Sequence, residues 1–139
     1  MKLLLGWRIH SVENWVNKET GDNCHVGKKR ISPEQGEAAF SGQMMDEPLA
    51  VRYLLQLIED LLPGRSVELR VPPYGAIQCI EGLNHRRGTP PNVVEISSDT
   101  FLSLALGRSS WLEEIENGRL LASGELSAEL ATVFPLRRD

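Results

Sequence analysis

The sequence predicts an α+β domain: a small, mainly antiparallel sheet with helices packed on one of its faces. Three observations carry that reading. Residues 46–62 and 98–107 set apolar side chains at helical spacing behind capping residues. Three short runs, at 67–71, 76–81 and 92–96, read as strands bounded by Pro, Gly and Asn. A length of 139 residues, 41% hydrophobic and 24% charged, suits one globular domain with its own core.

The elements follow in order. Residues 1–30 show no sustained period. Trp7, Ile9, Val12, Trp15 and Val16 make a short amphipathic patch, and Asn17 to Arg30 reads as a polar linker. Ser32-Pro33-Glu34-Gln35 is a helix start, with a hydroxyl cap, proline at the first position and glutamine at the third. Ser41-Gly42 ends that short helix. Asp46-Glu47-Pro48 opens a longer one, with Val51, Leu54, Leu55, Ile58, Leu61 and Leu62 on one face. Pro63-Gly64 stops it.

Val67, Leu69 and Val71 alternate with Glu68 and Arg70, the pattern of a half-buried strand. Pro72-Pro73-Tyr74-Gly75 is turn chemistry, so Ala76 to Glu81 returns as the second arm of a hairpin. After the polar loop Gly82 to Pro91, Asn92 to Ile96 supplies a third strand, and the expected arrangement is an antiparallel meander. Ser98-Asp99 is expected to cap a helix that leaves through Gly107, and Ser110 with Glu113 forms a capping box for another that ends at Gly118. Arg119 to Ser123 is a fourth strand, closed by Gly124. Ser127 is expected to open a final short helix before Pro135.

Charge narrows the partners. The net charge is −4, yet residues 1–30 carry six basic and three acidic side chains, leaving the remainder acidic. An acidic body with only 6% aromatic residues argues against nucleic acid, which needs a basic surface and stacking platforms. The opening Met1-Lys2-Leu3-Leu4-Leu5 run breaks at Gly6, too early for a signal peptide, and no stretch reaches the ~18 apolar residues of a membrane span. The reading is a cytoplasmic protein without stable membrane insertion. Cys24 and Cys79 are too few and too far apart for a disulfide framework, and Cys79 reads as a small buried hydrophobe.

Catalytic patterns are not in view. His10, His25 and His85 have no second ligand at metal spacing, and no nucleophile elbow, dinucleotide fingerprint or phosphate loop occurs. Glu113, Glu114 and Glu116 read as a solvated face and first-turn partners of the helix dipole. The expectation is no enzyme, no metal and no cofactor. One polar cluster, His85-Arg86-Arg87-Gly88, suits a phosphate or carboxylate head group, against the plainer reading of a solvated loop.

The stretch Val93 to Glu125, with Asp99, Phe101 and Leu104 on one helix, Gly107, a second helix to Gly118 and then Arg119-Leu120, resembles the C-terminal half of the type-2 sterol carrier protein domain. The blocks RVPPYGAIQC and HRRGTPPNVVE look like the bacterial orthologue branch of that family, found mainly in actinobacteria. The resemblance spans Ile31 to Leu136, with residues 1–30 outside it as an expected leader or flexible extension and 137–139 as a tail. It implies a curved sheet with helices around an apolar cavity that holds lipids, sterols or fatty acyl chains.

The residues expected to line such a cavity are Leu54, Ile58, Leu61, Ile77, Phe101, Leu104, Leu106, Trp111, Leu112, Ile115, Leu130 and Phe134, with His85, Arg86 and Arg87 at a polar mouth. Plain core packing is the competing reading for each and the preferred one for most of them. The final helix is the expected lid, since a short terminal element opens cheaply. Two functions compete. One is a non-catalytic carrier of an apolar small molecule. The other is an accessory or protein-interaction module that keeps the fold, fills the cavity with side chains and allows a weak homodimer through a sheet edge.

Overall fold

Ser32 and Asp46 decide where the first two helices begin. The computed structural model describes residues 29–82 and 91–137. Ser32 Oγ accepts the Gln35 N–H while Gln35 returns the bond to the Ser32 N–H, which starts the helix Pro33–Ser41 (α1). Asp46 accepts the Leu49 N–H and starts Glu47–Leu61 (α2). The two helices lie against each other because Gly36 offers no side chain: a Cβ there would collide with the Tyr53 ring.

The sheet has four strands: Val67–Val71 (β1), Gly75–Cys79 (β2), Val93–Ile96 (β3) and Leu120–Ser123 (β4). The hairpin of β1 and β2 forms as expected, with Leu69 opposite Ile77. The meander does not. The strand order is β2-β1-β3-β4, so β3 lies beside β1 and runs parallel to it, while β4 is antiparallel to β3. A meander would give β3 the same direction but seat it against β2. The connection from Cys79 to Val93 carries the chain to the other edge of β1 instead. Hairpin turns fix their own neighbours, whereas a longer connection leaves pairing to side-chain burial. Val94 and Ile96 are completely buried there, beside Val67, Leu69 and Val71. The sheet is therefore mixed and open.

One face carries the core. Val67, Leu69, Val71, Val94, Ile96 and Leu120 point to it, and α2 packs on β2 from that side. The other face presents Arg70, Glu95 and Leu121 in one row across three strands. The second strand is shorter than expected because Ile80 adopts a left-handed conformation at φ +65°, ending the extended run at Cys79. That turn is locked: Ser66 Oγ donates to the Ile80 carbonyl at 2.6 Å, and the Ile80 N–H donates to the Leu62 carbonyl at 2.7 Å.

Two expectations about the last third need correction. Ser97, rather than Ser98-Asp99, caps Ser98–Ala105 (α3), its hydroxyl accepting the Thr100 N–H. The capping box of Ser110 and Glu113 holds for Trp111–Glu116 (α4). The final element is a 3₁₀ helix over Glu125–Val133, entered directly from Gly124 at φ +90° without a side-chain cap, rather than a helix opened by Ser127. Ser127 Oγ donates to the Gly124 carbonyl and so turns back into the preceding turn.

Candidate functional site

A concave groove between the α3–α4 loop and the 3₁₀ segment brings together Trp111, Leu112 and Phe134 of the expected residues. Gly107, Ser109, Ser110, Trp111 and Leu112 form one wall, and Ala131, Phe134 and Pro135 the other, around about 500 Å³. Gly107 at φ +74° turns the chain out of α3, which brings Trp111 back towards the chain's end. Trp111 stacks on Phe134 with centroids 6.0 Å apart, and Phe134 meets Phe101 edge-on at 6.1 Å. That ladder of rings runs from the groove surface to a completely buried residue.

The expected lining residues divide by depth. Leu54, Ile58, Phe101, Leu104, Leu106 and Leu130 are buried, and all but Leu106 belong to one packed cluster. Leu61, Ile77, Trp111 and Phe134 are half-buried against that cluster. Leu112 lines the groove yet stays 64% exposed. Ile115, at 41% exposure, does not line it. His85, Arg86 and Arg87 lie outside the described residues.

Glu114 departs from the expected solvated face. It is buried, and Arg119 binds it with two prongs, Nε to Oε2 at 2.5 Å and Nη2 to Oε1 at 3.1 Å. Those bonds hold the Glu114 carboxyl below its ordinary range against the opposing cost of burial, with Ser109 helping. Ser109 Oγ is itself buried with no hydrogen-bond partner, so Arg119 is the group that holds the carboxylate. Glu113 does serve in the first turn, as expected. The pair braces α4 against the start of β4, behind the Trp111 wall of the groove.

Sequence reasoning missed Asn92. Read as the first residue of a strand, it is buried and cross-links three elements. Its Nδ2 donates to the Ser66 carbonyl at 2.8 Å, and its Oδ1 accepts the Leu126 N–H at 3.1 Å. The only available signal was a polar amide between Pro90-Pro91 and an apolar run. At the other end of the segment, the Arg137 N–H donates to the Ala105 carbonyl at 2.8 Å, and Arg137 pairs with Glu37.

Among the described residues, no cluster of three or more His, Cys, Asp or Glu side chains is placed to hold a metal ion, and no helix is long and apolar enough to cross a membrane. Residues 44–136 match the protein family described as bacterial SCP ortholog, two thirds of the chain. The chain belongs to that family. The bacterial SCP ortholog match begins at Met44, so α1 lies ahead of it, whereas the resemblance read from sequence began at Ile31. A search of curated proteins found no match. In this sterol-carrier-like domain the matched span contains α2, the whole sheet, the groove and the 3₁₀ segment.

Proposed function

We propose that this domain is a non-catalytic carrier for an apolar small molecule, a lipid, sterol or fatty acyl chain, received through the Trp111–Phe134 groove. Family membership suggests the ligand class. The observation that carries the reading is the ring ladder: Trp111, Phe134 and Phe101 lead from an open groove to the centre of the core. Leu130, completely buried on the 3₁₀ segment, occupies the position an alkyl chain would take once that segment lifts.

Magnitudes allow such an exchange. Exposing one leucine costs about 1.5–3 kcal/mol. Burying roughly twelve methylenes returns ~10 kcal/mol before ordering costs. The segment is also weakly built, since 3₁₀ hydrogen bonds have poorer geometry than α-helical ones and runs this long are uncommon. Gly124, at φ +90°, is the hinge that such a movement would use.

A second reading is an interaction module with a filled interior, and the complete burial of Leu54, Ile58, Phe101 and Leu130 favours it. Native mass spectrometry on protein purified without detergent separates the two. A bound species of lipid mass, released on denaturation, supports the carrier. A clean apo mass that persists after incubation with fatty acids and sterols transfers the assignment to the filled module.

A further inference from the structure

Among the described residues the sheet ends at β4, and that edge lacks the devices that keep an edge strand from pairing. Leu120-Leu121-Ala122-Ser123 holds no charge and no proline. Leu121, on the outer face, is 64% exposed and is the one exposed large apolar side chain on the sheet among the described residues. Ala122 lies on the core face beside the completely buried Val94, yet it too is exposed, so the helical layer stops short of it. Among the described residues, the backbone of Leu121, Ala122 and Ser123 is hydrogen-bonded only along the ladder to β3. The opposite edge is built differently. There α2 packs on β2, Ile77 is half-buried, Cys79 is buried and the left-handed Ile80 ends the strand.

We propose that β4 is a self-association edge, pairing antiparallel with β4 of a second copy about a twofold axis that sets Ala122 opposite Ala122 and joins the two sheets into one. The residues flanking the strand select that occupant. Arg119 precedes β4 and Glu125 follows it, both exposed. Antiparallel pairing in this register lays the Arg119 end of each strand beside the Glu125 end of the other, so the twofold axis makes the charge match twice. Glu114 takes Nε and Nη2 of Arg119, which leaves Nη1 for that contact. On the outer face Leu121 stands opposite Ser123 of the second copy and diagonal to its Leu121, so the two exposed leucines share one patch. A strand paired in parallel sets Arg119 beside Arg119 and loses both matches.

A single strand pair is a small interface by the standard of stable complexes, so the dimer is weak and concentration-dependent. β4 contributes no residue to the Trp111–Phe134 groove, and the pairing holds whether the interior is hollow or filled.

The test oxidises the full chain carrying Ala122→Cys under mild conditions and maps the disulfides by peptide mass. A disulfide joining position 122 of two chains is expected, forming several-fold faster than the equivalent link of Gln78→Cys, an exposed position on the other edge. Sedimentation of the unaltered chain should show a dimer that grows with concentration. Glu125→Lys, which sets a second cation beside Arg119, and Leu121→Lys, which charges the edge, should each weaken it several-fold; both positions are exposed. A monomer at every concentration overturns the proposal. So does a dimer that both variants leave unchanged, which moves the contact to another face. A disulfide from position 122 to Cys24 of the same chain also overturns it, by giving the edge to the chain's own N-terminal stretch. The readouts contain no lipid and stand apart from the carrier assignment.

Discussion

Asn92 ties the 3₁₀ segment to the sheet: its Oδ1 accepts the Leu126 N–H at 3.1 Å while its Nδ2 donates to the Ser66 carbonyl at 2.8 Å. Gly124 stands so close that a Cβ on it would overlap this amide. The tie lies at the Gly124 end of the segment, two positions after that glycine.

Replacing Asn92 with Ala strands a buried carbonyl and a backbone N–H together. The expected cost is about 1–3 kcal/mol of unfolding free energy in urea denaturation. Hydrogen exchange at Leu126 and Leu130 should accelerate more than at Val94. Equal acceleration throughout would show that the amide supports the whole domain rather than the segment.

Leu104 is 1% exposed on α3, close in sequence to Phe101 and within the same packed cluster. Leu104→Trp should cost about 1–3 kcal/mol by overpacking and should abolish uptake of a fatty acyl probe, read by native mass spectrometry. Retained uptake at unchanged stability would remove the ligand from this part of the core.

Glu114 makes stability depend on acid. In the folded state Arg119 holds its carboxyl below the ordinary value of 4.5, so the unfolded chain binds protons first. The contribution is complete above pH 4.5 and disappears as pH falls through the lowered folded value. Arg119 stays charged throughout and adds no titration of its own. Urea midpoints measured from pH 6 downwards should therefore fall less steeply for Glu114→Gln than for the parent.

Cys79 is completely buried on β2, and burial, aided by the charge of Glu59, pushes its thiol up to about 12 from 9.0. An unfolded thiol ionises first, so this group's contribution is full below pH 9 and declines towards pH 12. Its slope is at most about 1.4 kcal/mol per pH unit. Cys79→Ala should remove that decline. In the native state an aromatic disulfide reagent should label the Cys79 thiol only at the rate of local opening.

Elements governed by local chemistry were legible residue by residue. The Ser32 and Ser110 boxes, the Asp46 cap, the left-handed exits at Gly107 and Gly118 and the β1–β2 hairpin each depend on groups within a few positions. Of the expected site, Trp111, Leu112 and Phe134 converge on the groove, while Ile115 does not line it. Glu114 was misread because its partner Arg119 lies beyond the helix, out of reach of any i, i+4 pattern.

By itself, then, the sequence determined the α+β class, the starts and stops of α1, α2 and α4 and the family, since these follow from hydrophobic period, capping chemistry and contiguous motifs. Tertiary structure decided which edge of β1 received β3, that Asn92 and Glu114 are buried, and that residues 125–133 wind as a 3₁₀ helix. The reason is range. A turn or cap gains its free energy from neighbours in the chain, whereas strand order and the burial of Asn92 are settled by partners tens of residues away, and that of Glu114 by Arg119 beyond its own helix, when every side chain competes for the same interior.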